Sequence, residues 1–509
     1  MSQDVGELKK MKFTAWFSCS LAAILCGLSA VALAPKAESS EKGRFTLVYN
    51  VNNSGYIDVC GCKHKEVRQG SLTRRSSFLK QLRSTDRKIL LLDGGSALFK
   101  IGERVKEADK IEAVRKAKLI VEGYNRMGYD AMAVGAFDMA AGIETLRELE
   151  KDAKFKLLSA NVVDKATGKL LFAPHTVLEV NGLRVGVIGL TLSTLTKVYL
   201  SKVAPDIRLA DPFEAAQKSF EELRKETDMV IALSHLREET NFELVKKLKG
   251  LEIVVDPYIQ YGNHHTWIKE EEWLSNREDT VFLRSDGQGA RLGVVDIELL
   301  KPRQKLASGD RLDELNELVS FNEATSAEKE EYATLRGENL YRFARVSIEP
   351  HHGTDPEIDF LVEKWKKSVD PAKVAQAVNL SEKKDYTTHE KCKSCHEEQY
   401  AFWKTTSHSH ALETLKKTED QHRYDCVGCH SLGYGQAFLN TAEIGNYADV
   451  QCESCHGNKP QHMDAPKANA YGKVKRLTCI HCHNKEQTKK TFNYFRSKKQ
   501  VACPLMAVR

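Results

Sequence analysis

The sequence predicts a multidomain chain with an α/β domain first, a helical connector second and a mainly helical domain last. Three observations carry this. The chain has 509 residues, more than one ordinary domain holds. Residues 44–300 alternate short apolar runs with charged amphipathic stretches, the texture of α/β folding. Cysteine and histidine then concentrate at the far end, with ten of the 17 histidines in residues 389–509. Hydrophobic content of 41% and charged content of 29% exclude a largely disordered chain and a multi-span membrane protein.

The first element is a targeting segment. Lys9, Lys10 and Lys12 precede an apolar run from Phe13 to Leu33, and Ala32-Leu33-Ala34 forms an A-x-A cleavage pattern. Residues 1–34 therefore read as a signal peptide, with Met11 as an alternative start. The rival reading is an uncleaved anchor, which would hold the chain at a membrane. Export follows from either, to a periplasmic or equivalent space of bacterial type.

The α/β region spans residues 44–300. Strand-like runs are Phe45–Val51, Ile89–Asp93, Ala131–Val134, Lys156–Val162, Leu183–Leu190, Met229–Ser234, Ile253–Asp256, Val281–Leu283 and Leu292–Leu299. Helical stretches such as Lys106–Met127, Ile143–Asp152 and Pro212–Glu226 lie between them. Such folds place their chemistry on loops at the strand C-ends. Here those loops carry Asn52–Ser54, Asp93–Ser96, Gly135–Asp138, Ser234-His235 and Gly262–His265, of which Asp93, His235, His264 and His265 have metal-ligand chemistry. Cys60-Gly61-Cys62, with His64 beyond it, sits in the first loop. The pair reads as a strained reducible disulfide, as a metal or haem-edge contact, or as a plain stabilising bridge.

Residues 301–388 are charged and free of cysteine. Leu312–Tyr341 predicts one or two helices, with Leu312, Leu315, Leu318, Val319 and Phe321 as an apolar stripe, and Ile358–Val369 a further short helix. A helical spacer and a solvated linker helix both fit. His351-His352 reads as a surface pair.

The last region, residues 389–509, holds four copies of one motif: Cys392-Lys393-Ser394-Cys395-His396, Cys426-Val427-Gly428-Cys429-His430, Cys452-Glu453-Ser454-Cys455-His456 and Cys479-Ile480-His481-Cys482-His483. Each is C-x-x-C-H, the attachment sequence of c-type haem. Two thiols at this spacing reach two vinyl groups on one porphyrin edge, and the next residue sets its imidazole over the iron. At this composition one copy is expected by chance about 0.01 times, so four are not accidental. Zinc also uses C-x-x-C, but four separate histidines, each directly after a second cysteine, do not suit zinc knuckles. The expectation is four haem c groups, with His396, His430, His456 and His483 as proximal iron ligands.

Six histidines remain in this region as candidate distal ligands: His389, His408, His410, His422, His462 and His481. Ala401 to Leu415 predicts a helix, on which His408 and His410 point apart. His408 and His462 are the preferred distal ligands. Two strong axial ligands give low-spin iron suited to electron transfer, and a missing one leaves iron open to a small molecule. The region carries 18 basic and 12 acidic side chains, all of the chain's excess charge. Haem propionates account for that excess without invoking nucleic acid. Cys503 reads as a structurally unremarked thiol.

Two resemblances follow from these residues. Lys391–His396, Trp403-Lys404, Ser407–Leu415 and Val450–Gly457 followed by His462 resemble the cytochrome c five-fifty-four family. That likeness covers roughly residues 385–490 and implies a mainly helical tetrahaem domain with haems in close pairs, exchanging electrons in the periplasm, with one haem typically five-coordinate. Gly70–Arg75, Leu91–Gly95, Leu158–Asn161, Val185–Thr191, Ala232–His235 and Gly289–Gly293 resemble the metallophosphoesterase domain of the five-prime-nucleotidase family. That likeness implies a metallophosphoesterase-like sandwich, but its ligands are changed. The Asp-x-His falls on Asn52-Asn53-Ser54, the bridging Asp on Ser96, and Asn-His-Asp/Glu on Ala136-Phe137-Asp138. His235 matches a retained ligand, and Thr266 breaks the Gly-His-x-His pattern near His264 and His265.

The function expected is an exported multihaem cytochrome that transfers electrons to and from redox partner proteins, with a phosphoesterase-like domain inactive in hydrolysis and used for docking. Two alternatives stand beside it. One is a haem enzyme acting on a small nitrogen or sulfur compound, and the other a metal-dependent nucleotidase with appended haems. The sequence sets neither the donor and acceptor nor the oligomeric state.

Overall fold

A computed structural model describes residues 43–58, 69–100, 104–105, 110–191, 197–257, 273–285, 287–367, 384–417, 420–421, 424–438, 441–471, 474–483 and 492–504. The proposed leader, Cys60, Cys62, His64, His264, His265 and His422 lie outside the described residues.

Two sheets stack face to face in the α/β domain. The larger runs Leu306–Ser308, Asn339–Ser347, Arg291–Glu298, Arg44–Asn50, Ile89–Asp93, Ala131–Ala133, Lys156–Leu158. From Arg44–Asn50 onward its strands are parallel, and Arg291–Glu298 pairs antiparallel on both sides. The smaller runs Leu274–Arg277, Thr280–Arg284, Ile253–Asp256, Met229–Ser234, Leu183–Leu190, His175–Val180, with antiparallel edges on a parallel centre. Alternation along each strand explains the layering. In Arg44–Asn50, Phe45, Leu47 and Tyr49 pack between the sheets against Val185, Val187, Ile231 and Val255. Val48 turns the other way, into a second core with the helices Leu72–Arg83 and Lys110–Met127. A third core seats Pro212–Leu223 and Glu238–Lys247 on the smaller sheet. Central strands covered on both faces read as unbroken apolar runs, which is why eight of the nine expected strands are present as read, while Lys156–Val162 divides into Lys156–Leu158 and Val162–Asp164.

The connector differs from expectation. Its helices form at Gly309–Ser320 and Ser326–Leu335, started by Ser308, whose Oγ accepts from Arg311 N–H, and by a Thr325/Glu328 capping box. Of the expected apolar stripe only Leu315 is buried, and Phe321 is 68% exposed. The two helices are held to one another by Arg311, whose guanidinium grips the Glu331 carboxylate at 2.8 and 3.1 Å. Around them, however, Leu306–Ser308 and Asn339–Ser347 complete the larger sheet. Pro356–Lys367 then buries Ile358, Val362 and Trp365 in the core of Leu72 and Tyr124. Residues 301–367 are thus part of the α/β domain. Asn339–Ser347 (NLYRFARVS) hid because Arg342 and Arg345 interrupt its apolar alternation over a half-buried stretch.

The cysteine-rich region consists of short helices, among them His389–Lys393, Glu397–Lys404, Ala411–Lys416, Tyr424–His430, Cys452–His456, Arg476–Cys482 and Tyr494–Val501. The single helix expected over Ala401–Leu415 is broken. Hydroxyls of Thr405, Thr406 and Ser409 donate to the carbonyls of Phe402, Trp403 and Thr406. These bonds compete with the helical ladder, and Ser407–His410 becomes a 3₁₀ turn. The apolar cluster here is small: Leu412, Leu415, Val427, Ala437 and Phe438.

The join between the sheets tolerates no added atom at Gly189, where a Cβ would lie 2.2 Å from the Leu158 carbonyl oxygen. Gly189→Ala is expected to destabilise the α/β domain by about 2 kcal/mol or more, because backbone on both sides must shift. Thermal unfolding followed by circular dichroism checks this, and an unchanged midpoint would contradict the packing described.

Candidate functional site

The loops at the strand C-ends converge. Asn52 N–H donates to Gly95 O at 2.9 Å, Ser54 N–H to Ser96 O at 3.0 Å and Gly55 N–H to Ala97 O at 2.9 Å, so the first two loops run side by side. Asn52, Ser54 and Ser96 all adopt left-handed backbone conformations, with φ of 52°, 56° and 54°. Such conformations persist where surrounding structure over-determines them. The Asp138 carboxylate does so here, accepting from Ser96, Ala97, Leu98 and Gly135 N–H at 2.8–2.9 Å. Burial pushes Asp138 up to about 7 against those four donors.

At the point of convergence His235 Nε2 lies 3.0 Å from Ser96 Oγ and 3.2 Å from Asn52 Oδ1. All three side chains are buried. Burial lowers the His235 ring to about 4, so it is neutral at pH 7. Asp93, the other expected ligand, is turned elsewhere. It accepts from Asn50 Nδ2 at 2.6 Å, Tyr124 OH at 2.7 Å and Gly95 N–H at 2.7 Å, and burial raises it to about 6. Behind it the buried Arg75 guanidinium donates to Tyr124 OH, Tyr129 OH and Asn53 Oδ1. An imidazole, an amide and a hydroxyl form a neutral donor set, which does not fit two adjoining divalent cations. Among the described residues no three His, Cys, Asp or Glu side chains come together to hold a metal ion.

The cysteine-rich region presents a different geometry. His396 of the first motif faces His462 with ring centres 6.1 Å apart and planes 23° apart. His483 of the fourth motif faces His408 at 6.0 Å and 43°. Two imidazoles bound to opposite faces of one iron, each with a metal–nitrogen bond of about 2.0 Å, have ring centres about 6.2 Å apart. Both pairs lie at that separation, so in ring spacing and donor chemistry they suit a bis-imidazole iron. The outer ring nitrogens are engaged as ligand histidines require. His462 Nδ1 lies 3.2 Å from Asn469 O, and His430 Nδ1 lies 2.6 Å from Ala411 O, which leaves Nε2 of each ring for a metal. Thr387 N–H donates to the Glu453 carboxylate at 2.7 Å and His389 N–H to Gln451 Oε1 at 2.8 Å, so the first motif adjoins the third.

The remaining candidates are placed less favourably. His389 packs on Trp403 with ring centres 4.8 Å apart, and His410 is exposed beside Glu413. His481 is exposed on its own motif helix. His430 and His456 face no second imidazole among the described residues.

Residues 391–457 match the family model of cytochrome c554 and c-prime. The chain joins a cytochrome c554-like segment to a 5'-nucleotidase-like α/β domain. Over 226 residues, 44% of its length, it is 31% identical to a 5'-nucleotidase of Vibrio cholerae, of which it covers 39%. Over 159 residues, 31% of its length, it is 34% identical to protein UshA of Escherichia coli, of which it covers 29%. The chain thus spans well under half the length of these curated relatives. Among solved structures it is similar to a 5'-nucleotidase precursor from Thermus thermophilus, with 20% identity and a TM-score of 0.47 over 68% of this chain and 62% of that one.

The cytochrome c554 match takes in the first three motifs and stops before His462 and the fourth. His462 and His483, each half of an imidazole pair, therefore rest on the geometry and on motif spacing. Sequence reading gave no role to four contributors. Arg75 stands in the Gly70–Arg75 stretch with nothing to mark it as buried, and the tyrosines at 124 and 129 that hold it carry no motif. Tyr471, whose ring lies 4.7 Å from that of His462, stood in a stretch with no periodicity.

The buried imidazole gives a pH test. His235 has a folded value of about 4, below the free value of about 6.5, so its contribution is present above pH 6.5 and lost as pH falls toward 4. Asp93 and Asp138, both raised, act in the opposite sense over that range. Comparison with His235→Gln isolates the ring. The stability gap between wild type and variant is expected to narrow by about 3 kcal/mol from pH 7 to pH 4. A gap that stays constant in denaturant titrations would show that the ring is not buried neutral.

Proposed function

We propose that the chain is an exported electron carrier that holds four covalent haem c groups, at Cys392/Cys395, Cys426/Cys429, Cys452/Cys455 and Cys479/Cys482. His396, His430, His456 and His483 are the proximal ligands. His462 completes the first site and His408 the fourth. When bound, such a group exchanges single electrons between ferric and ferrous iron. The chain's own part is to fix the imidazoles in pairs, exclude water from the thioether edge and hold neighbouring sites close. The observation that carries this reading is the pair of facing imidazoles, each at the separation one iron demands. Export to a periplasmic space supports covalent attachment, and no described helix is long and apolar enough to cross a membrane. The partners are redox proteins, docked by the α/β domain, whose neutral site does not support hydrolysis.

A second reading has its own support, the 31% identity to a 5'-nucleotidase. It requires ligands that Asn52, Ser96 and Phe137 do not supply. Release of phosphate from nucleoside monophosphates with added divalent metal would establish it, and silence would remove it.

Haem content per chain and electron paramagnetic resonance of the oxidised protein test the first reading. Four haems are expected. His462→Ala and His408→Ala should each convert roughly a quarter of the iron to high spin, because each removes one axial ligand. Spectra identical to wild type would sink both assignments.

A further inference from the structure

Glu453 is the residue after the first cysteine of the third motif. It is also the one charged side chain that is buried among the described residues of the cytochrome c554-like region, at 3% exposure. A carboxylate in that position needs a reason, since removing an ion from water is costly unless it is fully hydrogen-bonded. Its oxygens accept from Tyr471 OH at 2.5 Å, Thr387 N–H at 2.7 Å, Lys459 N–H at 3.0 Å and Asn458 Nδ2 at 3.5 Å. Every one of these partners is a donor. An ionised carboxylate accepts only, so this shell suits the charged form.

The donors come from both neighbouring sites. Thr387 precedes the first motif, while Asn458 and Lys459 follow the third. Tyr471 stands between ligands of the two, with its ring 4.7 Å from that of His462 and 5.8 Å from that of His456. His462 in turn faces His396. The first and third motifs also adjoin through His389 N–H, which donates to Gln451 Oε1 at 2.8 Å. Glu453 is therefore a fixed negative charge at the junction of these two sites. No buried charge lies at the second and fourth motifs among the described residues.

A ferric haem carries one more positive charge than a ferrous one, so a nearby buried anion favours the ferric form and lowers the potential. In a medium of low polarity that effect is large compared with surface charges, which water and salt screen. We propose that Glu453 holds the potentials of the haems at the first and third motifs below those at the second and fourth. Tyr471 is a positioning residue that holds the carboxylate through its hydroxyl while its ring packs near His462 and His456. The chain thereby carries a low-potential pair and a high-potential pair, which gives electron flow a direction. This inference rests on the four-haem reading.

The test is a potentiometric titration of the full-length holoprotein, followed by absorbance and electron paramagnetic resonance, with haem per chain measured alongside. Glu453→Gln keeps the shape and removes the charge. It should raise one or two of the four potentials by the equivalent of about a tenfold change in the ferric-to-ferrous ratio, about 59 mV for one electron. Glu453→Asp keeps the charge and should titrate close to wild type, which a purely structural role for the side chain would not produce. Tyr471→Phe covers the case in which Glu453→Gln does not fold. It leaves the ring in place and removes one donor, so the carboxylate is less neutralised and the same potentials should fall. Fully loaded Glu453→Gln or Tyr471→Phe with wild-type potentials overturns the proposal alone. Wild-type protein without haem at Cys452 and Cys455 overturns it together with the reading beneath it.

Discussion

The facing imidazoles are the constraint on which the C-terminal region depends. Its apolar cluster has five fully buried members, and its helices are too short to be stable alone. A segment of that kind cannot offset its chain entropy by burial, so cohesion must come from elsewhere. The pairs His396–His462 and His408–His483 tie stretches far apart in sequence. In the proposed holoprotein, attachment through eight cysteines would add the apolar porphyrin faces that the side chains lack. The cofactor would then be as much the core of this region as its chemistry, in the way a structural metal serves a small domain.

The α/β domain stands on the opposite footing. Three apolar cores and two stacked sheets hold it, and its strand-end loops converge on His235, Ser96 and Asn52. Asn52, Ser54 and Ser96 still take left-handed backbone conformations, which are retained because Asp138 ties down the second loop through four N–H groups. Arg75 supplies a permanent cation among Tyr124, Tyr129 and Asn53, close to Asp93.

Much of this was legible in the sequence, and the limits have physical causes. The central strands were readable because both faces are buried. The strand Asn339–Ser347 was not, because Arg342 and Arg345 interrupt its alternation and most of its length is only half-buried. The four motifs announced themselves through a spacing that only one cofactor needs. Distal ligands carry no such spacing, since the partner of each iron comes from a distant stretch. His408 lies near the first motif in sequence yet faces His483 of the fourth. The break at Thr405 and Thr406, which sets where His408 points, depends on hydroxyls competing for carbonyls and is invisible to apolar periodicity.

The changes in the α/β site also make sense only as a set. A dinuclear centre gathers several carboxylates that the two cations keep apart in energy. Without the cations, those anions would repel at close range in a buried space and would each be driven to bind a proton. Amide and hydroxyl at 52 and 96 remove that repulsion and let His235 sit neutral between them. Asp93 survives because it has its own donors in Asn50, Tyr124 and Gly95 and a nearby guanidinium. Restoring one aspartate at position 96 would therefore place a second buried carboxylate beside a neutral ring with no cation to balance it. Among the described residues the network is therefore balanced by hydrogen bonds between neutral groups at 52, 96 and 235.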